Sequence, residues 1–177
     1  MPKFFNRNCA VVYIDDSVDD HFLFQHAVST SETPLHVQPF FSFAPAIAYL
    51  KGETPFDDKR VYPFPAFLLC DYDLRISKAP QVVAAVRALP SGSALPIIVF
   101  SGSSDPGCIL RSYLAGADHY LRKPTSPARM VILVRSLYDC AMLSPKNFAE
   151  LAALQEHQPR PTSTRDSAAT VYYAALD

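Results

Sequence analysis

At 177 residues, the chain has room for one domain with an appendage and is short for two full domains. Apolar residues make up 49% and charged residues 19%, the balance of a globular protein with enough apolar mass for a core. With 16 basic and 17 acidic residues the net charge is -1, so no global basic excess points to nucleic acid or to an anionic membrane surface.

The four cysteines, Cys9, Cys70, Cys108 and Cys140, form no C-x-x-C pair, and two lie inside apolar runs. They read as reduced thiols, not as a disulfide framework or a zinc site. The five histidines show no metal-ligand spacing, and His119 is expected at the surface. The N-terminal apolar run is too short for a signal peptide, and no stretch approaches the roughly 20 apolar residues of a membrane span. The expectation is a cytoplasmic protein.

In chain order, the first short apolar run is Cys9–Ile14 (CAVVYI). Helical spacing follows over residues 19–29, where Phe22, Leu23, His26 and Ala27 are the expected stripe. The second run, residues 35–41, contains Pro39 and alternates with polar residues, which suits a sheet edge. A short helix over 44–51 should stop before Gly52. Residues 52–65 hold three prolines and mixed charge and read as a surface loop. The third run is 66–70 (AFLLC), followed by a helix over 80–89 that opens on a proline. The fourth run is 96–100 (PIIVF); the next helix covers 106–115, with Asp105 as N-cap, Pro106 in its first turn and Gly116 at its exit. The fifth run is 119–121, before a helix over 126–142 with Met130, Val131, Val134, Leu137 and Tyr138 on one stripe. A strand and a helix thus alternate five times, which predicts an α/β fold: a five-stranded parallel sheet with helices on both faces. Right-handed crossovers narrow the topology, and the flavodoxin-like order 2-1-3-4-5 suits it. The first unit should cover residues 1–143. Residues 144–177 form a C-terminal extension, expected to hold one short helix, a polar linker and an apolar end.

Asp15 and Asp16 end the first run, Asp71 the third and Ser101 the fourth, while Lys123 follows the fifth. In a parallel α/β sheet the C-terminal strand ends open onto one crevice, so these groups should converge. Three carboxylates in one place raise each other's pKa unless a cation compensates. Magnesium prefers oxygen ligands and suits a site with few carboxylates, several waters and a phosphate oxygen. Lys123 supplies a compact positive charge and Ser101 a hydroxyl donor. Such a set can support phosphoryl transfer to a carboxylate, with Asp71 as the attacking group. Each piece alone has an ordinary explanation: a DD pair caps helices, Ser101-Gly102 is a common turn, Lys123-Pro124 a common dipeptide, and a strand aromatic such as Tyr120 is usually core.

The segments VVYIDDS, FLLCDYDL, PIIVFSG and GADHYLRKP resemble the response-regulator receiver family in order and spacing, over about residues 9–143. The resemblance implies a phosphoacceptor at Asp71. It implies Mg2+ bound by Asp16, by Asp15 largely through water, by Asp71, and by the backbone carbonyl of Asp73. It further implies phosphoryl contacts from Ser101, Gly102 and Lys123, Tyr120 as an aromatic that swings inward on activation, and often a cis bond before Pro124. Arg75 stands where the family usually has proline and Ala79 where it usually has glycine, which bears on the loop after Asp71. The implied phosphodonor is a sensor histidine kinase or a phosphotransfer protein.

No DNA-binding module follows residue 143, so output is expected through a downstream protein target, not nucleic acid or membrane. The surface would be the fourth helix, fifth strand and fifth helix, which in the family often forms homodimers. The only chemistry expected is self-phosphorylation and self-dephosphorylation. Asp73 adds a carboxylate that would influence hydrolysis of the phosphate. Two other readings stand beside this one. Asp71-Tyr72-Asp73 also resembles the D-x-D motif of haloacid-dehalogenase-type phosphatases, although there the nucleophile lies on the first main strand and the acidic pair near the end. The chain could also be a receiver-like adaptor that works without phosphorylation.

Overall fold

The structure, a computed structural model, describes residues 9–143. The short helix, linker and apolar end expected for 144–177 lie outside the described residues. The elements are β1 (Cys9–Ile14), α1 (Val18–Ser31), β2 (Leu35–Phe40), α2 (Phe43–Lys51), β3 (Phe67–Asp71), α3 (Ala79–Arg87), a 3-10 turn at Pro90–Gly92, β4 (Ile97–Ser101), α4 (Pro106–Leu114), β5 (His119–Arg122) and α5 (Pro127–Leu143). The strands form one parallel sheet in the order β2-β1-β3-β4-β5. The Pro39-bearing strand is at the edge, where its missing N–H costs no ladder bond to a second neighbour.

Side-chain alternation along the strands builds two cores, one on each face. Val12, Ile14, Leu68, Cys70, Ile97 and Val99 pack with Tyr49 and Leu50 of α2, Val82, Val83 and Val86 of α3, and Ile109 of α4. Val11, Tyr13, Phe67, Leu69, Ile98 and Phe100 pack on the other face with Phe24, Ala27 and Val28 of α1 and Leu133, Val134 and Leu137 of α5. Apolar residues on both faces are what a strand covered by helices on both sides requires. All four cysteines are buried and unbridged.

The expected signals at Asp105 and Gly52 act as read, and Ser17 adds a cap that was not anticipated. The Ser17 hydroxyl accepts from Asp20 N–H at 3.1 Å to cap α1, and Asp105 accepts from Gly107 N–H at 2.7 Å to cap α4. Gly52 ends α2 at φ 70°, a left-handed conformation open to glycine at little cost. The 52–65 segment has no helix or strand, but it is not merely a surface loop. Phe56 packs edge-to-face with Phe40, Tyr49 and Tyr62, Tyr62 does so with Tyr49, and the Tyr49 hydroxyl donates to the Pro63 carbonyl at 2.5 Å.

Three expectations are corrected. The buried face of α1 is His21, Phe24, Ala27, Val28 and Ser31, while Phe22 and Leu23 are exposed. Periodicity alone favoured the stripe with more apolar residues. The structure turns the helix so that His21 is inside, where its ring packs at a tilt against Tyr13 and its Nε2 donates to the Asp15 carbonyl at 2.9 Å. A buried polar ring is tolerated when its hydrogen bond is made. His119 is buried, since it opens β5 in register with Ile98 of β4. The cis peptide bond among the described residues precedes Pro55, not Pro124.

The lower end of the sheet is tied by Arg87. Its guanidinium donates to the carbonyls of Gly116 (2.9 Å), Gly92 (2.6 Å) and Leu95 (2.7 Å), and to the Asp118 carboxylate at 2.7 Å. Asp118 in turn accepts from Ile97 N–H at 2.8 Å. Gly116, at φ 105°, lies against the Arg87 stem, where an added Cβ would come within 3.2 Å of its Cγ. Arg87→Ala should therefore lower the unfolding free energy by about 2–3 kcal/mol in urea titration, because three carbonyls and a carboxylate lose a donor together. Arg87→Lys should recover little of it, since an ammonium cannot reproduce the planar fork.

Candidate functional site

The C-terminal strand ends bring Asp15, Asp71, Ser101 and Lys123 to one side of the sheet. β1 delivers Asp15 and Asp16, β3 ends on Asp71, β4 ends on Ser101, and Lys123 follows β5 with its N–H bonded to the Ser101 carbonyl at 2.7 Å. The Lys123 ammonium donates to Asp71 Oδ1 at 2.6 Å, Asp15 Oδ2 at 2.7 Å and Asp20 Oδ2 at 2.9 Å. Its three protons are thus matched by three carboxylates. The side chain is 14% exposed, so these contacts are screened little by solvent.

The remaining oxygens are also held. The Tyr13 hydroxyl donates to Asp15 Oδ2 at 2.7 Å and the Ser17 N–H to Asp15 Oδ1 at 2.9 Å. The Asp73 N–H donates to Asp71 Oδ2 at 2.7 Å. Burial raises the pKa of Asp71, with the charge of Asp15 adding to it, while Lys123 and the Asp73 N–H oppose the shift without cancelling it. For Lys123 the largest single influence is burial, which acts downward. Its hydrogen bonds to Asp15, Asp71 and Asp20 together outweigh that, and the net shift is upward.

Asp16 stands apart from this cluster. Its carboxylate lies 3.4 Å from Nε of Arg75, the residue found in place of the family's proline. The Asp73 side chain is turned away to an ion pair with Lys78. The loop after Asp71 is closed by an antiparallel bridge between Asp73 and Lys78 and by the Ala79 N–H bonding to the Tyr72 carbonyl at 2.9 Å. Ala79, in place of a glycine, is fully buried at the start of α3. Ser101 is buried, and its hydroxyl accepts from the Ser103 N–H at 3.2 Å. Gly102 is exposed, and a Cβ there would meet open space. Tyr120 is inside, with its hydroxyl donating to the Ser103 carbonyl at 2.9 Å; burial pushes its pKa up to about 12.

Two contributors were not legible in advance, Asp20 and Tyr13. Asp20 follows Asp19 in the first turn of α1, and both look like helix-start acids. Only the rotation of the helix decides which of them faces Lys123. Tyr13 sits in an otherwise apolar strand and gives no sign that its hydroxyl reaches Asp15.

The donors expected to hold a cation are all oxygen, which is the chemistry a hard divalent ion prefers. Among the described residues, however, no group of three or more His, Cys, Asp or Glu side chains is arranged to hold a metal ion. The Lys123 ammonium lies where Asp15 and Asp71 converge, and Asp16 faces Arg75.

No protein-family model matches the sequence, and no curated protein matches it. Solved structures do. Response regulator RPA3017 in red light signaling of R. palustris is 24% identical with a TM-score of 0.69, over 74% of this chain and 92% of that one. The phosphorylated cyanobacterial phytochrome response regulator RcpA is 22% identical with a TM-score of 0.67, over 76% and 94%. The Mn2+-bound form of response regulator Rcp1 is 21% identical with a TM-score of 0.62, over 73% and 91%. This is the receiver fold. Its strand order is the flavodoxin-like one that the alternation of runs suits, and residues 9–143 hold the five strands and five helices. No helix among the described residues is long and apolar enough to cross a membrane.

Four carboxylates (Asp15, Asp16, Asp20 and Asp71) face two cations (Lys123 and Arg75) at this receiver-fold site, an excess of negative charge. Removing one charge should relieve it. Asp71→Asn should stabilise the metal-free protein at pH 7 by on the order of 1 kcal/mol, because Lys123 keeps Asp15 and Asp20 while repulsion falls. The sign of the pH dependence follows from the raised Asp71 pKa. Its contribution is fully present below its unfolded value and is lost as pH rises through the folded one. The advantage of the Asn variant should therefore shrink as the pH is lowered from 7 into the carboxylate range, read from thermal melts in EDTA.

Proposed function

We propose that this chain is a phosphorylation-dependent response regulator that accepts a phosphoryl group on Asp71 and signals by protein–protein contact. The observation that carries the reading is the convergence of Asp71 and Asp15, from distant stretches, within hydrogen-bond distance of the Lys123 ammonium. The receiver fold and the match of residue types at each strand end support it.

In the step proposed, one Asp71 oxygen forms a bond to phosphorus as the bond from phosphorus to the donor's imidazole nitrogen breaks. The imidazole keeps the electron pair and takes a proton from water. The Asp73 N–H, fixed on Asp71 Oδ2, holds the carboxylate in orientation. Lys123 offsets charge on the phosphoryl oxygens, and the Ser101 hydroxyl can donate to one of them. Mg2+ would be held by Asp15, Asp16, Asp71 and the Asp73 carbonyl, and when bound it supplies further positive charge to the transferring group. That Rcp1, a protein of the same fold, has a Mn2+-bound form is in keeping with divalent-cation binding. Mg2+ binding would require Asp16 to leave Arg75 and Asp15 to share its oxygens.

The phosphodonor proposed is a sensor histidine kinase or phosphotransfer protein, in the cytoplasm. The output would be a downstream protein target or a second copy of this chain, through α4, β5 and α5. Tyr120, anchored on Ser103 two residues after Ser101, is the proposed link from the site to that surface. Asp73, its side chain engaged by Lys78, is proposed to tune hydrolysis of the aspartyl phosphate. Its role fails if Asp73→Asn leaves the phosphate lifetime unchanged.

Incubation with acetyl phosphate and Mg2+ should give one phosphorylated species by Phos-tag mobility. That species should vanish in Asp71→Asn and in EDTA. No phosphorylation under any condition would leave a phosphate-independent adaptor, and steady turnover of a phosphate monoester would instead favour a phosphatase.

A further inference from the structure

We propose that Asp20 is a positioning residue for Lys123, keeping the ammonium in place once Asp71 carries a phosphoryl group. The proposal rests on the phosphoacceptor reading above and assigns a role to a residue that reading does not use.

Lys123 has three protons and three acceptors, Asp71, Asp15 and Asp20. Phosphorylation and cation binding change the first two. Asp71 loses its free carboxylate when one oxygen becomes the bridge to phosphorus. Asp15 is called on by the cation and already serves the Tyr13 hydroxyl and Ser17 N–H. Asp20 is claimed by neither event. It comes from α1 instead of a strand end, and its place is fixed because its own N–H is bonded to the Ser17 cap at 3.1 Å. It also lies in the first turn of α1, where the free N–H ends favour a carboxylate. A flexible four-carbon stem loses considerable rotamer freedom when held at one spot. Asp20 supplies a charge-assisted bond that offsets that loss in the phosphorylated state, when Lys123 must turn one proton toward a phosphoryl oxygen. Without Asp20 the ammonium would have fewer fixed partners just as its position matters most.

The alternative is that Asp20 serves only the helix start. Asp19 provides the control, since it shares the first turn but is exposed and makes no contact with Lys123. The chain has no tryptophan and 9 tyrosines, so tyrosine fluorescence can follow both ligands. Mg2+ is titrated first, then beryllofluoride at saturating Mg2+, on the full chain. Asp20→Asn should weaken beryllofluoride binding about tenfold while changing Mg2+ affinity less than about twofold. Asp20→Glu should restore most of the loss, and Asp19→Asn should match the wild type for both ligands. In a Lys123→Met background, Asp20→Asn should have no further effect on beryllofluoride binding. Equal beryllofluoride affinity in Asp20→Asn and Asp19→Asn would overturn the proposal. So would a loss of Mg2+ affinity as large as the loss for beryllofluoride, which would make Asp20 part of the cation site. A wild-type chain that binds no beryllofluoride at all would overturn the phosphoacceptor reading itself, a separate outcome.

Discussion

Lys123 carries a positive charge into a place where burial makes any isolated charge costly, and three carboxylates meet it there. The geometry of the acidic end follows from that requirement. Asp15 and Asp71 are buried and both accept from the ammonium, which is itself too buried to lack a partner. Neither half of the arrangement is tolerable alone. The sheet satisfies both by ending β1 and β3 on acids and bringing the chain out of β5 into the lysine. The backbone bond from Lys123 to Ser101 sets how far the lysine stem must reach. The cost of burial is thereby converted into a fixed constellation of groups.

The second layer of support comes from side chains that do not touch the reaction centre proposed. Tyr13 and Ser17 occupy Asp15, the Asp73 N–H occupies Asp71, and His21 holds the Asp15 carbonyl from beneath. Each removes a degree of freedom from a carboxylate that must be aimed accurately. Arg75 does the same for Asp16 more weakly, since it is 84% exposed and a solvated pair contributes little. The site is therefore rigid around Asp15 and Asp71 and looser around Asp16.

The five-fold alternation and the residues at the strand ends were legible because both depend on local pattern, whereas the order 2-1-3-4-5 came from the known flavodoxin-like topology that such alternation suits. A run apolar on every residue must be covered on both faces, and a carboxylate at its C-terminal end must open onto the common crevice. What escaped was whatever depends on rotation about an axis. Residues 19–29 carry two overlapping stripes, and apolar content pointed to Phe22 and Leu23. The satisfied ring of His21 and the aromatic contact with Tyr13 chose the other. The same rotation made Asp20, not Asp19, the partner of Lys123. His119 looked like a surface residue because one residue of context does not say that a four-residue strand begins there. The 52–65 loop was read as surface from its prolines, and the aromatic contacts of Phe56 and Tyr62 follow neither a helix nor a strand period, so periodicity could not reveal them.

The Arg87 clasp lies at the opposite end of the strands from Lys123. It joins the end of α3 to the turn before β4 and to the turn that leads from α4 into β5. One end of these elements is therefore pinned by a single guanidinium, while the other faces the acidic groups and the Tyr120–Ser103 contact. The clasp therefore favours a rearrangement of α4 that pivots near Gly116, with displacement growing toward Pro106 once the Arg111–Tyr72 hydrogen bond gives way.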